Sequence, residues 1–201
     1  MLNLPKSTEL KKRIYKQAIF KKFNLDKNAQ TNFDNDVSTI NIVGQISPST
    51  MNLDKGKIVS CIYVVSVLLK HKDFNKNNII LISKLVNQNM ILVLECDEES
   101  KLAIYHNKLI QNEWQASENC SIEVKGLNLD TVWENIIAQV GSIVVEQNNT
   151  LDEQIALDEQ KAKLEKEIAR LEKQARKEKQ PRKKFELVQQ INKLRKELIV
   201  I

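Results

Sequence analysis

The densest group of residues that could do chemistry is a run of cations, which we call the basic segment (residues 173–184). It holds seven Lys or Arg against one acidic residue, Glu178. Such a segment can neutralise several phosphates of a nucleic acid, but it contains no pattern that reads bases. The alternative is that the charges only keep an exposed turn soluble. The candidate residues are Lys173, Arg176, Lys177, Lys179, Arg182, Lys183 and Lys184.

A second candidate is a group of acidic residues around Glu95. Asp97, Glu98 and Glu99 follow it closely, and Lys101 comes next. A carboxylate on one strand and a lysine near the next could hold a metal ion and polarise a phosphate, as in a metal-dependent nuclease. The spacing fits that chemistry poorly, and the acidic run has the composition of a hairpin turn. We therefore favour a turn, predict no metal site, and keep the nuclease as an alternative.

His106 and Lys108 form a third candidate at the end of a predicted strand. Residues two apart on a strand point to the same face, so this pair could bind a phosphate or donate a proton. A structural surface pair is the interpretation that we favour. His71, the other histidine, lies in a polar stretch after a strand, and we expect its side chain to be exposed.

Familiar enzyme motifs are missing from the sequence. It contains no HExxH, no CxxC and no glycine-rich phosphate loop, and it has four glycines in all. Three widely spaced cysteines, Cys61, Cys96 and Cys120, argue against a disulfide framework and a zinc site. We predict no cofactor and no catalytic residue, and a binding or adaptor protein rather than an enzyme.

Length and composition favour one compact domain with an appendage. The chain has 201 residues, of which 42% are apolar and 28% are charged, with a net charge of +5. The longest apolar stretch, Ile62–Leu69, is too short to span a membrane, and no apolar run follows the basic start. We therefore expect a cytoplasmic protein without a membrane segment.

Hydrophobic periodicity predicts an α+β domain over residues 1–146. We expect a mostly antiparallel sheet of four or five strands with covering helices. A continuous β-branched run at 58–69 indicates a central strand that is covered on both faces. The predicted helices are 7–25, 26–37, 75–87 and 129–140. The predicted strands are 39–46, 58–69, 90–96 and 101–106, with a further option at 120–124.

Composition changes abruptly after the polar run 147–150, and residues 150–201 are predicted to form helices. Thr150 and Glu153 have the spacing of a capping box. Apolar residues recur in heptads on both sides of Pro181, which predicts a coiled coil. The first seam is Leu157, Lys161, Leu164, Ile168, Leu171 and Ala175, and the second is Leu187, Ile191, Leu194, Leu198 and Ile201.

Pro181 lies between the two seams. A proline inside a helix removes a hydrogen bond and clashes with the preceding turn, at a cost of about 3 kcal/mol. We therefore predict a break there and an antiparallel coiled-coil hairpin, in preference to one long kinked helix that dimerises. Phe185 neighbours the second seam, so we expect it in the helix–helix contact and expect no stacking of nucleic-acid bases.

Several segments together resemble the bacterial family catalogued as domain of unknown function 4391. They are Leu4-Pro5, Ile46-Ser47-Pro48-Ser49-Thr50, the run Ile58–Leu69, Leu102–Lys108 and the tail Glu-Lys-Gln-Pro-Arg-Lys-Lys-Phe at 178–185. Pro48-Ser49-Thr50 replaces the Lys-Pro-Thr-Thr-like segment typical of the family, and Tyr105-His106-Asn107-Lys108 replaces its Ala-His-Lys. The resemblance implies genes that lie beside helicases and DNA methyltransferases of restriction-like, phage-defence clusters.

The residues and the resemblance together suggest a non-catalytic accessory or adaptor protein of such a system. The resemblance implies a helicase or DNA methyltransferase as its protein partner. The basic segment adds an expected, non-specific contact with DNA or RNA. The alternatives are the nuclease near Glu95 and a structural protein that associates with itself through the coiled coil.

The missing motifs predict that the chain does not hydrolyse nucleic acids. Purified protein with Mg²⁺ or Mn²⁺ should leave duplex DNA, single-stranded DNA and RNA intact in a gel assay. Cleavage by the wild-type protein that disappears in Glu95→Ala would contradict this prediction and support the nuclease.

Overall fold

A computed structural model of the chain describes residues 2–146 and 149–200. The chain divides into two compact units, Met1–Ile143 and Val144–Ile201. Two positions of the expected composition boundary, Gln147 and Asn148, and the last expected seam residue, Ile201, lie outside the described residues. Among the described residues, no helix is both long enough and apolar enough to cross a membrane.

The first unit is built on one seven-stranded sheet. The strands are β1 (Glu9–Ile14), β2 (Val37–Ile46), β3 (Ile62–Leu69), β4 (Asn89–Cys96), β5 (Glu99–His106), β6 (Lys108–Gln111) and β7 (Gln115–Ala116). Their order is β1-β2-β3-β4-β5-β6, and β7 also pairs with β5. Every pairing is antiparallel except β3 with β4, which confirms a mostly antiparallel sheet.

Four helices belong to this unit: α1 (Lys16–Lys22), α2 (Lys27–Asp36), α3 (Lys76–Ser83) and α4 (Leu129–Gly141). Fully buried side chains of the first three, Ile19, Phe33 and Ile79, share a core with strand residues such as Val67 and Leu92. The fourth helix packs on β5 and β6. Alternation along each strand directs side chains to both faces of the sheet, so helices can bury both.

Three expectations for the first unit were wrong. Residues 9–14 do not form a helix, because they pair with β2 as its antiparallel neighbour, Ile14 opposite Ile40. Backbone pairing at the sheet edge therefore overrides the helical spacing, which holds only from Lys16 onward. The optional strand at 120–124 is reduced to a single bridge between Ser121 and Leu2. The count of four or five strands was too low because β1, β6 and β7 are short or charged.

The second unit contains α5 (Leu151–Lys177) and α6 (Pro181–Val200), which are in contact. The capping box at Thr150 is confirmed, since its hydroxyl accepts the Glu153 N–H and the Glu153 carboxylate accepts the Thr150 N–H. These hydrogen bonds hold the pKa of Glu153 below its ordinary value. The predicted break is present, and Pro181 is the first residue of α6, where its missing N–H has no intrahelical acceptor to lose.

An apolar cluster joins the two helices of this unit. Its buried members are Ile168, Leu171, Ala175 and Ile191, and Leu187, Leu194 and Leu198 pack against it. The Arg195 guanidinium donates to the Glu172 carboxylate across the pair at 2.7 Å. That ion pair is half-exposed, so it contributes about 1 kcal/mol at most and chiefly fixes how the helices align.

One carboxylate organises the loops of the first unit. Asp130, in the first turn of α4, accepts the backbone N–H groups of Lys57 at 2.6 Å, Ile58 at 3.1 Å and Val59 at 2.7 Å. The pKa of Asp130 lies below its ordinary value, chiefly because of the Val59 N–H, while partial desolvation opposes the shift. A side chain at Gly56 would meet the same carboxylate, so only glycine fits there.

We predict that Asp130→Asn lowers the melting temperature at neutral pH. A carboxylate whose pKa is depressed by folding stabilises the protein above its unfolded value, about 3.8, and loses that contribution as pH falls through the folded value. The difference in melting temperature between wild type and variant should therefore shrink in acid. Glu134→Gln, an exposed carboxylate of the same helix, is the matched control and should show neither effect.

Candidate nucleic-acid interface

The basic segment spans the end of α5, the three-residue connection and the start of α6. Lys173, Arg176 and Lys177 belong to α5, and Lys179 lies in the connection. Arg182, Lys183 and Lys184 stand in the first turn of α6, after Pro181. All seven side chains are exposed. The break at the proline therefore brings together, over a short span, cations that precede and follow it.

Hydrogen bonds within the segment hold the connection in place. The Glu178 N–H donates to the Gln174 carbonyl at 3.0 Å and so ends α5. The Glu178 carboxylate accepts the Gln180 N–H at 2.8 Å, and the Gln180 carbonyl accepts the Lys184 N–H at 3.0 Å. The single acidic residue of the segment is thus occupied by a backbone donor, and it does not form an ion pair with any described cation.

Most of the seven cations are not neutralised by neighbours. Arg176 lies 4.0 Å from Glu172 and Arg182 lies 3.5 Å from Glu186, and both arginines are more than four-fifths exposed. Pairs this open contribute little. Over residues 2–146 and 149–200, the remaining five cations make no ion pair: Lys173, Lys177, Lys179, Lys183 and Lys184. Their charge remains available to an external anion.

The helix dipoles act differently on the two halves of the segment. Arg176 and Lys177 stand in the last turn of α5, where the partial negative charge of the helix end favours cations. Arg182, Lys183 and Lys184 stand at the positive end of α6, which disfavours them by about 0.3–1 kcal/mol each. Helix stability therefore does not explain why cations occupy positions 182–184. Their positive potential adds to that of the helix end, and the two together favour a bound anion.

A cleft of about 510 Å³ lies beside the connection. It is lined by Gln174, Lys177, Glu178, Lys183, Glu186, Leu187 and Gln190. Two carboxylates offset the two ammonium groups of this lining, so the cleft carries no excess positive charge.

Phe185 was expected in the helix–helix contact, and that expectation was wrong. Its side chain is 62% exposed, and its neighbour Val188 is 40% exposed. The apolar cluster instead takes Leu187 and Ile191 from α6. Successive residues turn by 100°, so Phe185 lies about 200° from Leu187 and points away from α5. That angle, rather than proximity along the sequence, was the signal that could have placed it correctly.

The acidic candidates do not form one site with Lys101. Glu95 pairs with Ser100 and Leu94 pairs with Lys101, so Glu95 and Lys101 lie on opposite faces of the sheet. Asp97 and Glu98 form the two-residue tip of the β4–β5 hairpin, as expected, whereas Glu99, also expected in the turn, is the first residue of β5. Glu95 Oε1 and Ser100 Oγ are buried without a hydrogen-bond partner, but no three metal-binding side chains converge within the described parts of the chain.

Two aromatic rings lie close to the ammonium group of Lys101. Its ammonium lies 5.3 Å from the centre of the Phe74 ring and 5.2 Å from that of Trp114. Burial lowers the pKa of Lys101, Glu113 opposes that effect and Lys76 adds to it. Trp114 packs against the core and also lies under Lys72. Cation–π contacts of this kind help to hold the lysine in place.

His106 and Lys108 lie directly opposite each other across the β5–β6 hairpin. Asn107 forms the turn between them with a positive φ of 56°, which asparagine tolerates better than most residues. The two side chains therefore share a face, though through cross-strand pairing rather than through alternation on one strand. His71 Nε2 lies 3.4 Å from Asp36, a buried carboxylate that also accepts the Asn78 side-chain amide, and the imidazole is 46% exposed.

The sequence matches, over residues 2–198, the family described as Domain of unknown function (DUF4391). No curated protein and no solved structure matches the chain.

The unfavourable cations at the start of α6 yield a prediction about stability. Lys184→Glu should raise the free energy of unfolding of the helix pair by about 1 kcal/mol, because a carboxylate suits the positive helix end. Residues three and four positions away carry no charge that would oppose it. Lys196→Glu, an exposed change near the other end of α6, is the control and should give no gain in a urea titration followed by circular dichroism. An equal gain in both variants would contradict the dipole explanation.

Proposed function

The chain belongs to the Domain of unknown function (DUF4391) family, and from that premise we propose a non-catalytic accessory protein that contacts nucleic acid through its basic segment. The observation that carries the proposal is the group of seven exposed cations, five of them without an ion pair among the described residues. Lys and Arg side chains of this kind bind by releasing counterions condensed on the phosphate backbone.

We further propose that α5 and α6 form an antiparallel coiled-coil hairpin. In support, only three residues separate the helices, and their shared cluster has heptad spacing. The Glu172–Arg195 ion pair also links the two helices. In this arrangement both groups of cations stand at one end of a helical rod, where several can reach the same phosphate backbone.

The proposed protein partner is a helicase or a DNA methyltransferase of a bacterial restriction-like, phage-defence system. The support is the family resemblance of segments such as Ile46–Thr50 and Leu102–Lys108, whose implied gene neighbours are of these kinds. The sheet unit or the helix pair would dock the partner, and the basic segment would add a contact with its nucleic acid. Such a protein acts in the cytoplasm, where bacterial DNA lies.

Contacts of this kind are sequence-independent and depend on salt. Each phosphate neutralised on duplex DNA adds about 0.9 to the slope of log affinity against log salt concentration. The segment contains no side-chain arrangement for bidentate base reading in a groove, and it carries its charge on long, flexible side chains. We therefore expect weak binding that any duplex sequence supports.

We predict that replacing Arg176, Lys177, Arg182 and Lys183 with Gln weakens binding to a labelled duplex by at least about tenfold at low salt. The slope of log affinity against log salt concentration should become less steep by about 3–4, because four phosphate contacts are lost. Fluorescence anisotropy at two salt concentrations measures both quantities.

The matched control replaces Lys163, Lys166, Lys193 and Lys196, which are exposed cations of the same helices outside the basic segment, with Gln. The control should retain wild-type affinity. If both quadruple variants lose affinity equally, binding reflects net charge alone. If neither wild type nor variants bind at low salt, the segment is only a soluble turn.

A further inference from the structure

Phe185 is an exposed aromatic ring directly after the basic segment's second group of cations. It follows Arg182, Lys183 and Lys184 directly, and 62% of its surface is open to solvent. The helix pair buries its apolar cluster without it. A phenylalanine in that position contributes little to the packing of the unit, so its ring is free to contact another molecule.

The outer face of α6 around this ring combines three kinds of side chain. Helical geometry places Arg182, three residues before Phe185, and Gln189, four residues after it, on the same face. Val188 widens the apolar surface at 40% exposure, and Asn192 continues the face one turn further. A cation, a flat ring and carboxamides are the groups that proteins use to hold phosphates, stack bases and hydrogen-bond base edges.

Resting on the proposed function, we propose that the basic segment takes single-stranded nucleic acid in preference to duplex. Phe185 is the platform on which one base stacks, while Arg182, Lys183 and Lys184 hold the flanking phosphates. Arg182 lies about 4.5 Å from Phe185 along the helix axis, at 1.5 Å per residue, so its long side chain reaches a phosphate next to a stacked base. Bases of a duplex are already stacked on one another and offer the ring no free face.

Charge favours this occupant over a second copy of the chain. A symmetric contact through Phe185 and Val188 would bring the basic segments of both copies close together. Ten cations, five from each copy, have no ion pair in the described chain to offset their repulsion. A nucleic-acid strand supplies the anions that the segment lacks and an aromatic surface for the ring.

The test compares two labelled single strands of equal length and equal phosphate charge. One is oligothymidine, and the other consists of abasic nucleotides, which retain the phosphates and lack the bases. Wild-type protein should bind oligothymidine about tenfold more tightly than the abasic strand, as one stacked base provides. Phe185→Leu keeps an apolar side chain and loses the ring. This variant should bind both strands with the affinity that the wild type has for the abasic strand.

Ile199→Ala is the matched control, because Ile199 is 83% exposed on the same helix and far from the basic segment. This variant should keep the tenfold preference. Phe185→Trp should keep or increase it, since a larger ring stacks better.

Equal wild-type affinity for the two strands would overturn stacking and leave the phosphate contact of the proposed function intact. Failure to bind either strand at low salt would overturn the inference, and failure to bind duplex as well would overturn the proposed function. Sedimentation of the wild type as a dimer that Phe185→Leu converts to a monomer would assign the ring to self-association and also overturn the inference.

Discussion

A proline has no backbone N–H to donate, and at position 181 this deficit decides where the long C-terminal helix stops. An uninterrupted helix from Leu151 would separate Lys173 from Lys184 by about 16 Å along its axis, at 1.5 Å per residue. The actual break occupies only residues 178–180, and the heptad residues on its two sides share one apolar cluster. The grouping of cations and the packing of the helix pair both follow from the break at this proline.

Helix stability and the positive charge of the basic segment conflict at the start of α6. The first turn of a helix favours acidic side chains, as Asp152 and Glu153 show at the start of α5. Three cations occupy the equivalent turn of α6. Leu187 and Ile191 pack against α5 on the opposite side of α6. This packing stabilises α6 in spite of the unfavourable cations in its first turn. A site that binds anions can thus be placed on a helix end which would otherwise be more stable with the opposite charge.

The parts of the fold that the sequence could predict are those in which local and long-range forces agree. The capping box at Thr150, the break at Pro181 and the β4–β5 hairpin each combine a local signal with apolar spacing, and all three are present. At residues 9–14 the two kinds of force disagree, since the apolar spacing favours a helix while the edge of β2 favours a paired strand. For Phe185 the sequence distance to the seam was a poor guide, because direction around a helix changes by 100° per residue. Glu95 and Lys101 lie on opposite faces of the sheet because of the register between β4 and β5. The sequence alone does not determine that register.

The edge strand β1 has a consequence for how the sheet unit meets other proteins. Its outer side presents backbone N–H and C=O groups that have no strand beside them in the part of the chain that the structure describes. Lys11, Lys12 and Arg13 are exposed along it, and the register shifts between Glu9 and Lys12. Charged side chains and an irregular register prevent a foreign strand from extending a sheet, which protects such edges from aggregation. A partner that docks on this side must therefore recognise side chains, and acidic ones on its own surface would suit the three cations.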